Sequence, residues 1–239
     1  RLLAENFSAG INGKFIYSNL AAGQVVESTD IFAGTAFAAD LSLTYRKPIK
    51  MGETPTVLTL GAAFTNIGSK ITYTKSINKD FLPANMGIGA GWEFNLDEHN
   101  SLTLLADFNK LLVPTPTTTD ADSNGRPDYR DKSPIAGILG SFSDAPGGFS
   151  EEMREFSVSS GIEYWYDKQF ALRAGYYYED PTKGNRQFLT AGLGVKYNVF
   201  SLNFSYLVPT TNQRNPLDNT LRFTFLFDIA SFNKSTEAE

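Results

Sequence analysis

Residues 221–229 read Leu221-Arg222-Phe223-Thr224-Phe225-Leu226-Phe227-Asp228-Ile229. Successive side chains on a β-strand point to opposite faces. One face therefore carries Leu221, Phe223, Phe225, Phe227 and Ile229, and the other Arg222, Thr224, Leu226 and Asp228. Nine earlier stretches repeat the pattern, at 7–17, 35–46, 57–67, 84–94, 102–112, 156–166, 170–178, 188–197 and 200–208. The segments joining them are alternately long and short. Strands of about ten residues, apolar on one side and joined by alternating loop lengths, are the pattern of a transmembrane β-barrel. There the apolar face meets lipid and the polar face lines the lumen.

Alternation alone leaves open which face is which, because a soluble barrel shows the same pattern inside out. Three features decide for a membrane. Aromatic residues gather near strand ends (Tyr17, Tyr45, Trp92, Phe94, Tyr164, Tyr166, Tyr176, Tyr178 and Tyr197), as interfacial girdles do. Ten strands enclose a lumen too wide for their own side chains to fill. Long extracellular loops also alternate with short periplasmic turns in such barrels. The long segments 18–34, 68–82, 113–155, 179–186 and 209–219 are then extracellular. Residues 1–230 read as barrel and 231–239 as a polar periplasmic tail.

Composition agrees. The 239 residues are 41% hydrophobic, with a mean hydropathy of -0.23, and no apolar run reaches the ~18 residues of a membrane helix. A barrel escapes that test because half of each strand is polar. The 19 Phe and 11 Tyr suit lipid-facing and interfacial positions. With no cysteine there is neither a disulfide framework nor a thiolate metal site. A net charge of -5 without a basic cluster excludes a nucleic-acid partner. The chain opens Arg1-Leu2-Leu3, with neither an initiator Met nor a secretory apolar segment, which leads us to expect upstream sequence.

The parts for catalysis are missing. The one histidine, His99, lies in the turn Asp97-Glu98-His99-Asn100, and without Cys or a second His no Ser-His-Asp or His-rich metal site assembles. Gly87, Gly89 and Gly91 fall on one strand face, whereas a phosphate loop needs a strand-to-helix turn. Gly61, Gly161, Gly175, Gly192 and Gly194 share that inward orientation. Two readings stand: a smooth wall for a plug or ligand, or relief of sheet curvature. Inward charges of both signs (Lys14, Asp40, Arg46, Glu93, Asp107, Glu163, Arg173, Lys196, Arg222, Asp228) suggest pairing across the lumen.

The segment 113–155 carries one local motif. Asp120, Asp122, Asn124, Asp128 and Asp131 offer oxygens at a spacing that resembles a calcium loop, with Gly125 for the sharp turn. A solvated acidic loop is the alternative, since Asp131 stands where a bidentate Glu is usual and no flanking helix pattern is evident. Beyond it Ile135, Ile138, Leu139 and Phe142 have helical spacing. With Phe149 they are expected either to pack over the barrel mouth or to offer a partner an apolar patch.

Several segments resemble a known family. Gly161-Ile-Glu-Tyr-Trp-Tyr-Asp167, Phe170-Ala-Leu-Arg-Ala-Gly-Tyr176, Leu193-Gly-Val-Lys-Tyr197 and Asn219-Thr-Leu-Arg-Phe223 resemble the PorV family, as do Thr65-Asn-Ile-Gly-Ser-Lys-Ile71 and Leu105-Ala-Asp-Phe-Asn-Lys-Leu111. These are outer-membrane barrels of the type IX secretion system, related in fold to the FadL transporters. The resemblance implies a FadL-like barrel of 14 strands, so ten visible strands would leave about four N-terminal ones and a signal peptide outside this sequence. It also implies a non-enzymatic shuttle in the bacterial outer membrane. Its partners would be membrane lipid, secreted cargo bearing a C-terminal signal domain, the translocon, and an attachment complex with a sortase-like peptidase. No cofactor is implied beyond the candidate calcium. The alternatives are a FadL-like transporter of long-chain fatty acids or other hydrophobic small molecules, and a structural sibling such as PorQ.

Overall fold

The computed structural model describes residues 2–26, 29–75, 79–212 and 215–228. The chain is all-β. One sheet takes β1 (Leu2–Ala4), β2 (Phe7–Ser18), β5 (Gly34–Met51), β6 (Thr54–Gly68), β7 (Asn85–Asn95), β8 (Asn100–Leu111), β9 (Phe156–Tyr166), β10 (Phe170–Tyr178), β11 (Gln187–Tyr197), β12 (Phe200–Pro209) and β13 (Leu221–Phe227), in that spatial order. A separate two-stranded ribbon pairs β3 (Val25–Val26) with β4 (Thr29–Asp30). Every pairing whose register is defined is antiparallel. The ten strands expected from alternation are all present, and β1 adds a short eleventh. Among the described residues the sheet runs from β1 to β13 without closing, and its class is consistent with a β-barrel. No described helix is long and apolar enough to cross a membrane.

The chain forms two compact units. The first takes residues 1–45, 61–88 and 109–156, with the ends of β2, β5, β6, β7 and β8 that carry three of the long loops. Its β2–β5 ladder runs unbroken from Phe7 opposite Tyr45 to Ser18 opposite Gly34. Apolar partners share one face: Ala9 with Leu43, Ile11 with Leu41, and Phe15 with Phe37, whose rings lie 5.2 Å apart. The other face sets Asn12 opposite Asp40 and Lys14 opposite Ala38. The second unit takes residues 46–60, 89–108 and 157–239, including β9 to β13. There Leu189, Leu193 and Val195 of β11 meet Val208, Phe204 and Leu202 of β12. Those of β12 continue onto β13 as Phe204 with Phe223 and Leu202 with Phe225.

Burial decides which face is which. On β11 Leu189, Leu193 and Val195 are exposed, while Phe188, Gly192 and Gly194 are buried. A row of exposed Leu, Val and Phe running from strand to strand marks an interaction surface, and its alternation with a polar face is the pattern of a β-barrel wall. Where strand limits differ from the alternation reading, hydrogen bonding explains it. Lys47–Met51 lacks a clean pattern, yet β5 continues through it, because backbone pairing needs no apolar side chain. The segment between the stretches 35–46 and 57–67 shrinks to a turn at Gly52 and Glu53, with Gly52 at φ 63° and Thr56 bonded to the Ile49 carbonyl at 2.9 Å. Ile229 and the tail 231–239 lie outside the described residues.

The face assignment predicts an asymmetric mutational response in β13. Phe225→Arg should destabilise the protein in lipid by about 2–4 kcal/mol, the penalty for a cation placed at the bilayer midplane. Thr224→Arg, one residue away on the polar face, should cost far less. Denaturant unfolding in lipid vesicles measures both.

Candidate functional site

In the first unit the long loops part company, one folding onto the polar face of the strands and another onto the apolar face. The first begins at Asn66. This residue has φ 58°, so β6 bends there, and the Asn66 backbone N–H and side chain together reach three partners. Its amide N–H donates to Asp40 Oδ1 at 2.9 Å, its Oδ1 accepts from Lys14 Nζ at 3.0 Å, and its Nδ2 donates to the Pro83 carbonyl at 3.0 Å. Lys14 and Asp40 pair at 2.7 Å. Two residues on, a Cβ at Gly68 would stand 2.1 Å from the Phe37 carbonyl oxygen, so only glycine admits this approach. The Ser69 N–H donates to that same carbonyl at 2.9 Å. The chain then lays Ile71 and Leu82 over Ala36 and Ala38, with Ile16 and Tyr73 beside them. Ala36 and Ala38 belong to the polar face, so this loop covers the inward side of β2 and β5.

The loop after β8 goes the other way. Pro83 separates Leu82 from Ala84, and Ala84, Met86 and Leu112 form a second cluster with Ile138 and Phe156 packed on it. Met86 and Phe156 have the parity of the exposed Ile88 and Ile162, so this cluster lies on the apolar face. Lys110 shares that face with Phe108 and Leu112, yet it is 1% exposed. Its ammonium donates to Glu152 at 3.0 Å and to Glu155, and stands 5.7 Å from the Phe156 ring centre. Both acids come from the helix α2 (Phe149–Arg154) and its C-cap. Burial works to raise the Glu152 carboxyl pKa, but the Ala145 N–H at 2.8 Å and the Lys110 ammonium together hold it below the ordinary value.

The helix α1 (Pro134–Gly140) begins where Ser133 accepts from the Ala136 N–H and Pro134 takes the first turn. Its Gly137 is buried against Phe81 and Pro114, where a Cβ would come within 2.9 Å of both. The two loops are also cross-linked. Lys70 donates to the Arg130 carbonyl at 2.6 Å and sits 4.2 Å over the Phe81 ring, while Arg130 pairs with Asp80 at 3.3 Å. Desolvation lowers the Lys70 pKa against the opposing pull of Asp131.

The residues singled out from sequence fall into place unevenly. Ile138 faces the second cluster, whereas Ile135, Leu139, Phe142 and Phe149 are exposed. In the acidic loop the carboxylates of Asp120, Asp122 and Asp128 converge within 4.8 Å of one another. Asp120 accepts from the Asn124 and Gly125 N–H groups at 3.0 and 2.9 Å, and Asp128 from Ala121 N–H at 3.0 Å. Asp131 is turned to Arg126 and to Asn124 Nδ2. The loop is therefore closed by its own amides.

Among the described residues, several inward charges pair along the wall. Arg173 of β10 meets Glu163 of β9 and Asn203 of β12, and lies over Trp165. This accounts for some of the inward glycines, Gly89 and Gly194 among them, and not for Gly61 or Gly161. A Cβ on Gly194 would stand 2.8 Å from Arg173 Nη1, and one on Gly89 2.0 Å from Asp107 Oδ1. These glycines let long polar side chains lie flat over the neighbouring strand. His99 stays in its turn and its Nδ1 contacts Asp167 at 3.0 Å, joining two short turns.

Sequence reasoning missed the Lys110–Glu152–Glu155 group. Its one signal was a lysine in the apolar register between Phe108 and Leu112.

The family model described as Type IX secretion system protein PorV matches residues 1–118. The match takes in β1 to β8, the Asn66–Gly68 bend and Lys110. No curated protein matches the chain.

Lys110→Ala leaves Glu152 buried without its cation, so it should loosen the 113–155 loop by about 3–5 kcal/mol, the usual cost of breaking a buried pair. Limited proteolysis should then cut within that loop. Because the Glu152 pKa is depressed on folding, its stabilisation is present above the unfolded value and fades as pH falls through the folded one. Loop protection in the parent protein should therefore drop on acidification, and Glu152→Gln should flatten that dependence.

Proposed function

We propose that this chain, which over residues 1–118 belongs to the family of type IX secretion system protein PorV, is an outer-membrane shuttle. It receives secreted cargo by the C-terminal signal domain and delivers it to a cell-surface attachment complex. The family supports a place in the secretion machinery, and the exposed apolar face of the sheet supports the membrane. The observation that carries the reading is the folded, loop-bearing end of the first unit. Two loops there are fixed by two apolar clusters and a buried ion group, a platform rather than a set of loose connections. On it α1 holds Ile135 and Leu139 one turn apart, 57% and 68% exposed, with Phe142 following at 43%. Apolar side chains displayed on a fixed support are what a protein partner buries.

The shuttle works by binding and not by chemistry. Its one histidine is engaged in a turn with Asp167, and the chain has no cysteine nucleophile.

Removing the whole loop would expose Met86 and Leu112 and unpair Lys110, so point changes make the cleaner test. Ile135→Asp with Leu139→Asp should cut capture of a cargo signal domain in a pull-down at least tenfold, with heat stability unchanged. Full capture by the double variant would move the contact to the 18–34 or 209–219 loops. Failure of the parent protein to capture cargo, together with fatty-acid uptake in a transporter-deficient strain, would favour the FadL-like transporter instead.

A further inference from the structure

The position of α2 assigns it a separate role. Lys110 lies on the lipid-facing side of β8, next in that row to Phe108, which is 48% exposed. An uncovered ammonium there would stand against hydrocarbon or headgroups at considerable cost. Helix α2 removes that cost by laying Glu152 and Glu155 over it, with Glu152 itself 5% exposed. The limit of this cover is sharp. Met86 and Lys110 are buried, while the next residues of the same face, Ile88 and Phe108, are 49% and 48% exposed. The loop therefore rests on the outer wall of the strands where the open apolar belt begins.

The far side of α2 continues that belt. Phe149 and Met153, one helical turn apart and so on one face, are 80% and 51% exposed. Sequence spacing groups Phe149 with the α1 residues, but it belongs to a different helix with its polar side turned to the strand. An apolar helix face at the upper edge of a lipid-facing wall has the properties of an interfacial anchor. We propose that α2 is a membrane-surface clamp, with Phe149 and Met153 inserted at the headgroup–acyl boundary of the outer leaflet. The ion group on its other side fixes the loop to the strand. Lipid is favoured over protein as the occupant because Lys110 ties α2 to the same face of β8 that carries the exposed Phe108, the next residue in that row. The inference rests on the outer-membrane reading.

The test uses the full-length protein in phosphatidylcholine vesicles whose lipids carry bromine in the upper acyl chain. A bimane label is placed on a single introduced cysteine at Phe149, Met153, Phe225 or Asp122. Emission from 149 and 153 should be lost relative to unbrominated vesicles, as should that from 225, while emission from 122 should be unchanged. Unchanged emission at 149 and 153 with quenching at 225 would overturn the clamp and leave the membrane reading standing. Unchanged emission at 225 as well would overturn both. Emission at 149 that responds only to added cargo domain would give the patch to a protein partner and also overturn the clamp.

Discussion

Hydrocarbon offers no hydrogen-bond partner, so every backbone N–H and C=O of a strand inside a membrane must be paired by its neighbours. Pairing in turn constrains side chains, because a one-residue slip would carry a whole row of phenylalanines to the wrong face. The ladders from β2 to β5 and from β9 to β13 obey this throughout, and the register shifts only in the short β1–β2 pairing. Phe15 meets Phe37, Leu193 meets Phe204, and Phe204 meets Phe223, always on the exposed face. Polar partners keep to the other side, where Lys14 finds Asp40 and Arg173 finds Glu163. The short turns help hold that register. Gly52, Asp167, Lys168 and Asn198 take the positive φ that tight connections between strands demand.

The loop-bearing end follows from the same division. Pro83 lies between Leu82, which packs on the polar side, and Ala84, which packs on the apolar side. Each loop contributes apolar residues suited to the face it meets. The 69–84 loop caps alanines whose neighbours further along β5 are polar. The 112–155 loop meets Met86 and Phe156 and must also neutralise Lys110. A buried cation between two carboxylates is weak evidence for stability in itself, since desolvation offsets much of the attraction. What it does supply is position: neither α2 nor β8 can shift without stranding a charge.

Much of this was legible in the sequence. Alternation located all ten long strands, and it assigned Phe223, Phe225 and Arg222 to the faces they occupy, because a period of two is set by backbone geometry alone. Two kinds of feature were hidden. Lys47–Met51 is strand without a pattern, since hydrogen bonding does not depend on side-chain polarity. The Lys110 group joins residues 42 and 45 positions apart, and nothing in local spacing says that Glu152 and Glu155 return to that lysine. Ile138 and Leu139 are adjacent apolar residues, yet only Ile138 turns to the cluster on Met86. The inward glycines were seen as a set, but what lies over Gly89 and Gly194 is Asp107 and Arg173 on neighbouring strands.

The central claim is that one face of this sheet meets lipid and the other water. Cysteine scanning along β11 tests it most directly, one residue at a time from Phe188 to Tyr197, in the full-length protein in vesicles. The account predicts that a water-soluble maleimide reacts at Thr190 and Lys196, leaves Gly192 and Gly194 shielded beneath Arg173, and spares Leu189, Ala191, Leu193 and Val195. Reaction at Leu189, Leu193 and Val195 with protection of Thr190 and Lys196 would contradict it.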